Sequence, residues 1–159
     1  MAAGSRWSRV PHTGVRRVWA DSFLRAEQQH ALLLLVWSAL SVLAGTAIAL
    51  LLVAQHRASI LLANFAKQLA LWGIVIAVVV AVERHGLHLR DVASATRVER
   101  LLWMRIGFDV GIVGMGTILT IAGRRLAPGR GAVGAGIAIA VHGMALFIVD
   151  AHFASMVSR

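Results

Sequence analysis

A chain of 159 residues that is 58% hydrophobic and 14% charged, with a mean hydropathy of +0.76, carries more apolar surface than a water-soluble domain of this size can bury. It has no cysteine, which excludes disulfides, thiolate metal sites and a thiol nucleophile. The net charge of +9 is almost all arginine, with Lys67 the only lysine; these arginines flank apolar runs and are not interleaved with stacking aromatics, so they fit anionic lipid headgroups and not nucleic acid.

Residues 1–29 begin with a polar, basic tail, MAAGSRWSRVPHTG. From Val15 onward, Val18, Trp19, Ser22, Phe23 and Ala26 recur at helical spacing with Arg16, Arg17, Asp21 and Arg25 opposite, the pattern of a helix lying in a membrane interface or of an extension of the first span. The apolar run 31–54 is longer than that of a secretory signal and lacks a small-residue cleavage site. The basic, acid-poor start also fits a mitochondrial presequence.

Four apolar runs, 31–54, 60–82, 101–123 and 131–156, are each long enough to cross a hydrocarbon core of about 30 Å. They predict an all-α integral membrane four-helix bundle over residues 30–156. In the first, Ser38, Ser41, Gly45 and Ala49 make a stripe on which a neighbouring helix can pack. The second carries a polar face, Asn64, Lys67 and Gln68, which either lines a hydrated cavity or lets Lys67 reach the nearer interface. Residues 84–100 read as a polar connecting helix that runs toward the third span.

The third span holds Asp109, a carboxylate expensive enough in a bilayer to be paired, protonated or turned inward. Arg105, four residues earlier, is spaced for an intrahelical ion pair. Gly107, Gly111 and Gly114 lie on one face, and Asp109, Val113, Gly116 and Thr120 on another. In the last span, Gly136, Ala140, Gly143, Phe147 and Asp150 form a seam of coiled-coil period, so Asp150 points into the bundle with the small residues. His142 lies beside that seam at mid-depth. Helix packing is therefore expected at Gly107, Gly111, Gly136 and Gly143, and a polar site at Asp109, Asp150, Arg105, Lys67, His142, Asn64 and Gln68.

Most arginines outside the spans fall on the side of the N-terminus, the connection 84–100 and the C-terminus, which by the positive-inside rule makes both termini cytoplasmic. Asp109 and Asp150 then share the inner third with His30, His85 and His152. That cluster has the donor types of a zinc or iron site, but three of its histidines stand at helix ends, and no cofactor is expected. A bis-histidine haem needs two histidines at one depth on different helices, and His142 has no such mate.

The run of Glu99 and Leu101, then Gly107-Phe108-Asp109-Val110-Gly111, Gly134 and Gly136, His142-Gly143, and Phe147-Ile148-Val149-Asp150 resembles a family of small four-helix bacterial membrane proteins classed as a domain of unknown function. The resemblance spans about Phe23 to His152. The family's Gly-Leu-Asp-Val-Gly pattern has Phe108 here for leucine, and His142-Gly143-Met144 stands for its Gln-Gly-Gly. It implies a four-span bundle with emphasis on Asp109 and Asp150, and no known activity. The leading functional expectation is an accessory membrane subunit or homo-oligomer; the alternative is a small transporter, channel or proton relay using Asp109, Asp150, His142 and Lys67. No nucleophile and base motif, nucleotide loop or metalloprotease helix is present, so an enzyme is the weaker expectation.

Overall fold

The computed structural model describes residues 12–56, 58–85, 92–125 and 129–157, without the side chains of 12–17, 19 and 92–95. They form four helices: α1 (His12–Ala54), α2 (Ile60–Arg84), α3 (Val92–Arg125) and α4 (Arg130–Val157). Each contains a stretch long and apolar enough to cross a membrane: Ala20–Ala54, Ile60–Arg84, Thr96–Arg125 and Arg130–Val157. The amphipathic segment after Val15 is continuous with the first span as one helix of 43 residues, about 65 Å long. The connecting helix likewise runs into the third span within α3.

Local chemistry sets the breaks. After α1, His56 takes a left-handed φ of 49°, which turns the chain back within a few residues. Ser59 then caps α2, its side chain accepting from the Leu62 amide at 3.3 Å and satisfying one of the orphan donors of the first turn. At the other end of α2, the His85 imidazole Nδ1 lies 2.7 Å from the Ala81 carbonyl and covers a carbonyl of the last turn.

Successive helices run antiparallel. The lower end of the bundle holds the first half of α1, the end of α2, the start of α3 and the end of α4; the upper end holds the two short turns. α4 is the centre, packing on α3, α2 and α1, while α1 also packs on α2. Among the described residues α3 makes its close backbone approaches to α4 and none to α1 or α2, which it reaches only through side chains.

Small residues make these approaches possible. A Cβ on Gly45 of α1 would lie 2.6 Å from the Ala66 carbonyl oxygen of α2. One on Gly136 of α4 would lie 2.6 Å from the Gly116 carbonyl oxygen of α3. Ser38 adds a direct link, its hydroxyl donating to the Gly73 carbonyl at 2.7 Å between α1 and α2. Leu34, Ile76 and Val80 form one buried cluster among α1, α2 and α4, and Leu102, Phe153 and Ala154 form another at the lower end. Away from these seams the helices present Leu40, Leu51, Val78, Ile118 and Ile148 outward, more than half exposed. In water such a surface would aggregate; in hydrocarbon it is the expected exterior.

Candidate functional site

Along α1, Phe23, Glu27, His30, Leu34, Ser38 and Ser41 are buried at spacings of three or four. Leu34, Ser38 and Ser41 of that stripe lie against α2, while its lower part meets α4 and brings His30 against Asp150. The two side chains meet at 2.6 Å between His30 Nε2 and Asp150 Oδ1, with 9% and 6% of their surfaces exposed. Phe153, one turn beyond Asp150, stacks on the imidazole with centroids 4.6 Å apart and an interplanar angle of 23°. The ring is thus held between a carboxylate at its edge and a phenyl on its face.

Asp109 comes to the same place from α3. It is 4% exposed, and its Oδ2 is buried without a hydrogen-bond partner. Asp150, Arg105 and His30 all act on it electrostatically. Arg105 makes its ion pair across to Glu83 of α2, not along its own helix to Asp109, because α2 ends beside it and leaves Glu83 within reach. Both members of that pair are about 40% exposed.

Two hollows meet at the Glu83 and Arg105 pair. The lower one, of about 410 Å³, is lined by Glu27, His30, Arg84 and Leu102 as well as by the pair. The upper one is a crevice of about 210 Å³ between α2 and α3, walled by Val75, Val79 and Phe108 and ending at Asp109 and Asp150. The polar centre therefore has a hollow lined by charged side chains on one side and an apolar one on the other.

Higher in the bundle, His142 is 1% exposed between Trp37 and Trp72, with ring centroids 5.6 and 6.5 Å away. Its Nδ1 lies 3.1 Å from the Ala138 carbonyl oxygen, while its Nε2, the Trp37 indole nitrogen and the Ser41 hydroxyl are buried without partners. Eight residues separate His142 from Asp150 on α4, about 12 Å of helix.

The structure gathers some of the sequence-derived site residues and disperses others. Asp109, Asp150 and Arg105 are together, and His142 stands two turns above them. Lys67 is exposed on α2 near His56 and Ser59, at the opposite end. Asn64 donates to the Ile60 carbonyl at 2.9 Å and faces Gly131, and Gln68 is half-buried one turn below it. Of the four packing glycines, Gly136 and Gly143 meet α3, whereas a Cβ on Gly107 or Gly111 would touch nothing within 4 Å. His85 and His152 are exposed, and among the described residues no group of three or more His, Asp and Glu side chains is placed to hold a metal ion. His30 and Glu83 were outside the expected site. The signal for His30 was the small-residue stripe of α1, which continues backward from Gly45 through Ser41 and Ser38 to His30 and Glu27.

A family model matches residues 33–151, three quarters of the chain, and it encloses Asp109, His142 and Asp150. The chain belongs to DUF6992, a family of unknown function. No curated protein and no solved structure is similar enough to match. In this DUF6992 chain the matched segment begins three residues after His30, so the histidine that meets Asp150 lies just outside it.

Proposed function

We propose that this is a four-span integral membrane protein whose lower end holds a proton-exchange site made of His30, Asp150 and Asp109. The observation that carries the reading is the buried Asp109 Oδ2 without a partner, beside a buried histidine and aspartate already bonded to each other. A carboxyl group in such surroundings has to be matched by a proton or a cation. With Asp150 accepting from Nε2–H, His30 keeps Nδ1 to take a proton from the lower hollow that it lines. Asp109 is the next acceptor inward, and His142 with the Trp37 and Ser41 polar atoms lies on the way to the upper end.

Arginine placement supports a cytoplasmic lower end in a bacterial inner membrane, with both termini inside and the arginines of α3 against anionic headgroups. The test is the purified protein in vesicles holding a trapped pH dye. An imposed pH gradient should collapse faster than in protein-free vesicles, and Asp109→Asn or His30→Ala should return the rate to the protein-free level. Wild-type vesicles no leakier than empty ones would sink the proton reading.

A second reading, an accessory subunit of a larger membrane complex or homo-oligomer, is favoured by one observation: Gly107, Gly111 and Gly114 lie exposed along α3 with nothing facing them. Such a face admits the close approach of another helix. Mild detergent extraction from the native membrane followed by mass spectrometry tests it, and recovery of the chain as a monomer would remove it.

A further inference from the structure

We propose that the crevice between α2 and α3 binds the ammonium head of a lipophilic amine, which displaces the proton on Asp109. This rests on the proton-exchange reading and adds the substrate class. Three features of the crevice select such a ligand.

The first is charge. Glu83, Asp109 and Asp150 face Arg105 and His30. Even with His30 protonated, the three carboxylates outnumber the two cations by one. Arg105 is engaged by Glu83 and His30 by Asp150, so the unmatched position is at Asp109.

The second is hydrogen bonding. Asp109 Oδ2 lacks a donor, and Asp109 lines the inner end of the crevice while 96% of its surface is buried, the complement of the 4% exposed. A ligand that carries an N–H⁺ supplies both the missing charge and the missing donor, and charge-assisted bonds of this kind are the strong ones. An alcohol supplies the donor without the charge, and a carboxylic acid brings the wrong sign.

The third is the route. α2 and α3 have no close backbone approach, and Val75, Val79 and Phe108 on the crevice walls are exposed on the apolar flank of the bundle. A crevice of about 210 Å³ takes an ammonium head and a short length of chain, leaving the rest of an alkyl tail in lipid. Trp72 and Phe108 among the lining residues offer ring faces to a cation. One carboxyl group that serves proton and amine in turn cannot hold both, so the two compete.

The experiment uses the full chain in nonionic detergent with radiolabelled decylammonium as the probe, measured by equilibrium dialysis against Asp109→Asn in identical micelles. The expected result is saturable binding of one amine per chain, with release of a proton into weakly buffered solution and loss of the Asp109 carboxylic C=O infrared band. Asp109→Asn should weaken binding by about thirtyfold or more, as for loss of a charge-assisted bond. Excess decanol or decanoate should not displace the amine. Val79→Trp, on a wall residue that is 46% exposed and tolerant of bulk, should block binding while the carboxylic band still titrates. Equal amine binding by wild type and Asp109→Asn overturns the proposal, as does displacement by decanol. If the Asp109 band titrates but the amine leaves it unchanged, the amine inference falls alone. If no band titrates, the proton site falls with it.

Discussion

The contact of His30 with Asp150 joins α1 to α4 through one short bond between two side chains less than a tenth exposed, so each partner depends on the other. Hydrogen bonds between membrane helices average about 0.6 kcal/mol in double-mutant cycles, and a charge-assisted one should exceed this, at about 1–2 kcal/mol. A cycle of His30→Ala and Asp150→Ala, read from unfolding in mixed micelles, should show that coupling; additive losses would mean that the two side chains are merely adjacent. Asp109 and Asp150 stood out in the sequence because a carboxylate in an apolar run is costly wherever it faces. Depth groups His30 with them but gives it no direction, because it sits where the polar lead-in meets the first apolar run, and at such a boundary histidine is common without a partner. Only the unbroken course of α1, which carries the buried stripe from Ser41 back to Phe23, gives His30 its direction. The pairing of Arg105 was misdirected for a related reason: spacing along one helix offers Asp109, whereas the choice of Glu83 depends on where another helix ends.

At the scale of the helix, glycines of one chemical kind have opposite surroundings. Gly136 sits where α3 and α4 touch, and an added methyl would meet the backbone of Gly116 and the Thr120 side chain at about 2.5 Å. Gly136→Ala should therefore destabilise the protein by about 1–3 kcal/mol through overpacking, measured as a lower unfolding midpoint in detergent. Gly107→Ala meets nothing, and should be neutral or raise stability by up to about 1 kcal/mol through its better helix propensity. If α3 meets a partner helix in the native membrane, Gly111→Leu should leave the purified chain as stable as before and abolish the complex. The existence of the four spanning helices was legible from hydrophobicity alone, whereas the unbroken run of α1 back to His12 was one of two readings the pattern allowed. Which glycine stripe meets a sibling helix was not, since a small-residue motif specifies a close approach without naming the approaching helix.

For the molecule as a whole, sidedness is the property that most directly ties sequence to placement. The chain has no cysteine, so single substitutions report cleanly. Ala58→Cys, in the turn between α1 and α2, should react with an impermeant maleimide from outside intact cells. Arg97→Cys, near the start of α3, should react only after permeabilisation. The reverse pattern would invert the orientation. The order of helices in space, with α4 in the middle and α3 backbone-packed on it, was not legible, because four apolar runs are compatible with several ways of stacking.

That arrangement makes α3 a leaf hinged on α4, and the Glu83 and Arg105 ion pair is its latch. With about 40% of each side chain in contact with solvent, the pair contributes on the order of 0.2–1 kcal/mol, less than about twice the thermal energy at room temperature. Loss of the pair alone therefore costs little, and at the lower end α3 is held mainly by Leu102 against Phe153, Ala154 and Ala26. The pair's own contribution shrinks as ionic strength rises, so salt in the compartment facing the lower end should loosen this corner of the bundle beside Asp109 while the apolar contacts of Leu102 stay in place.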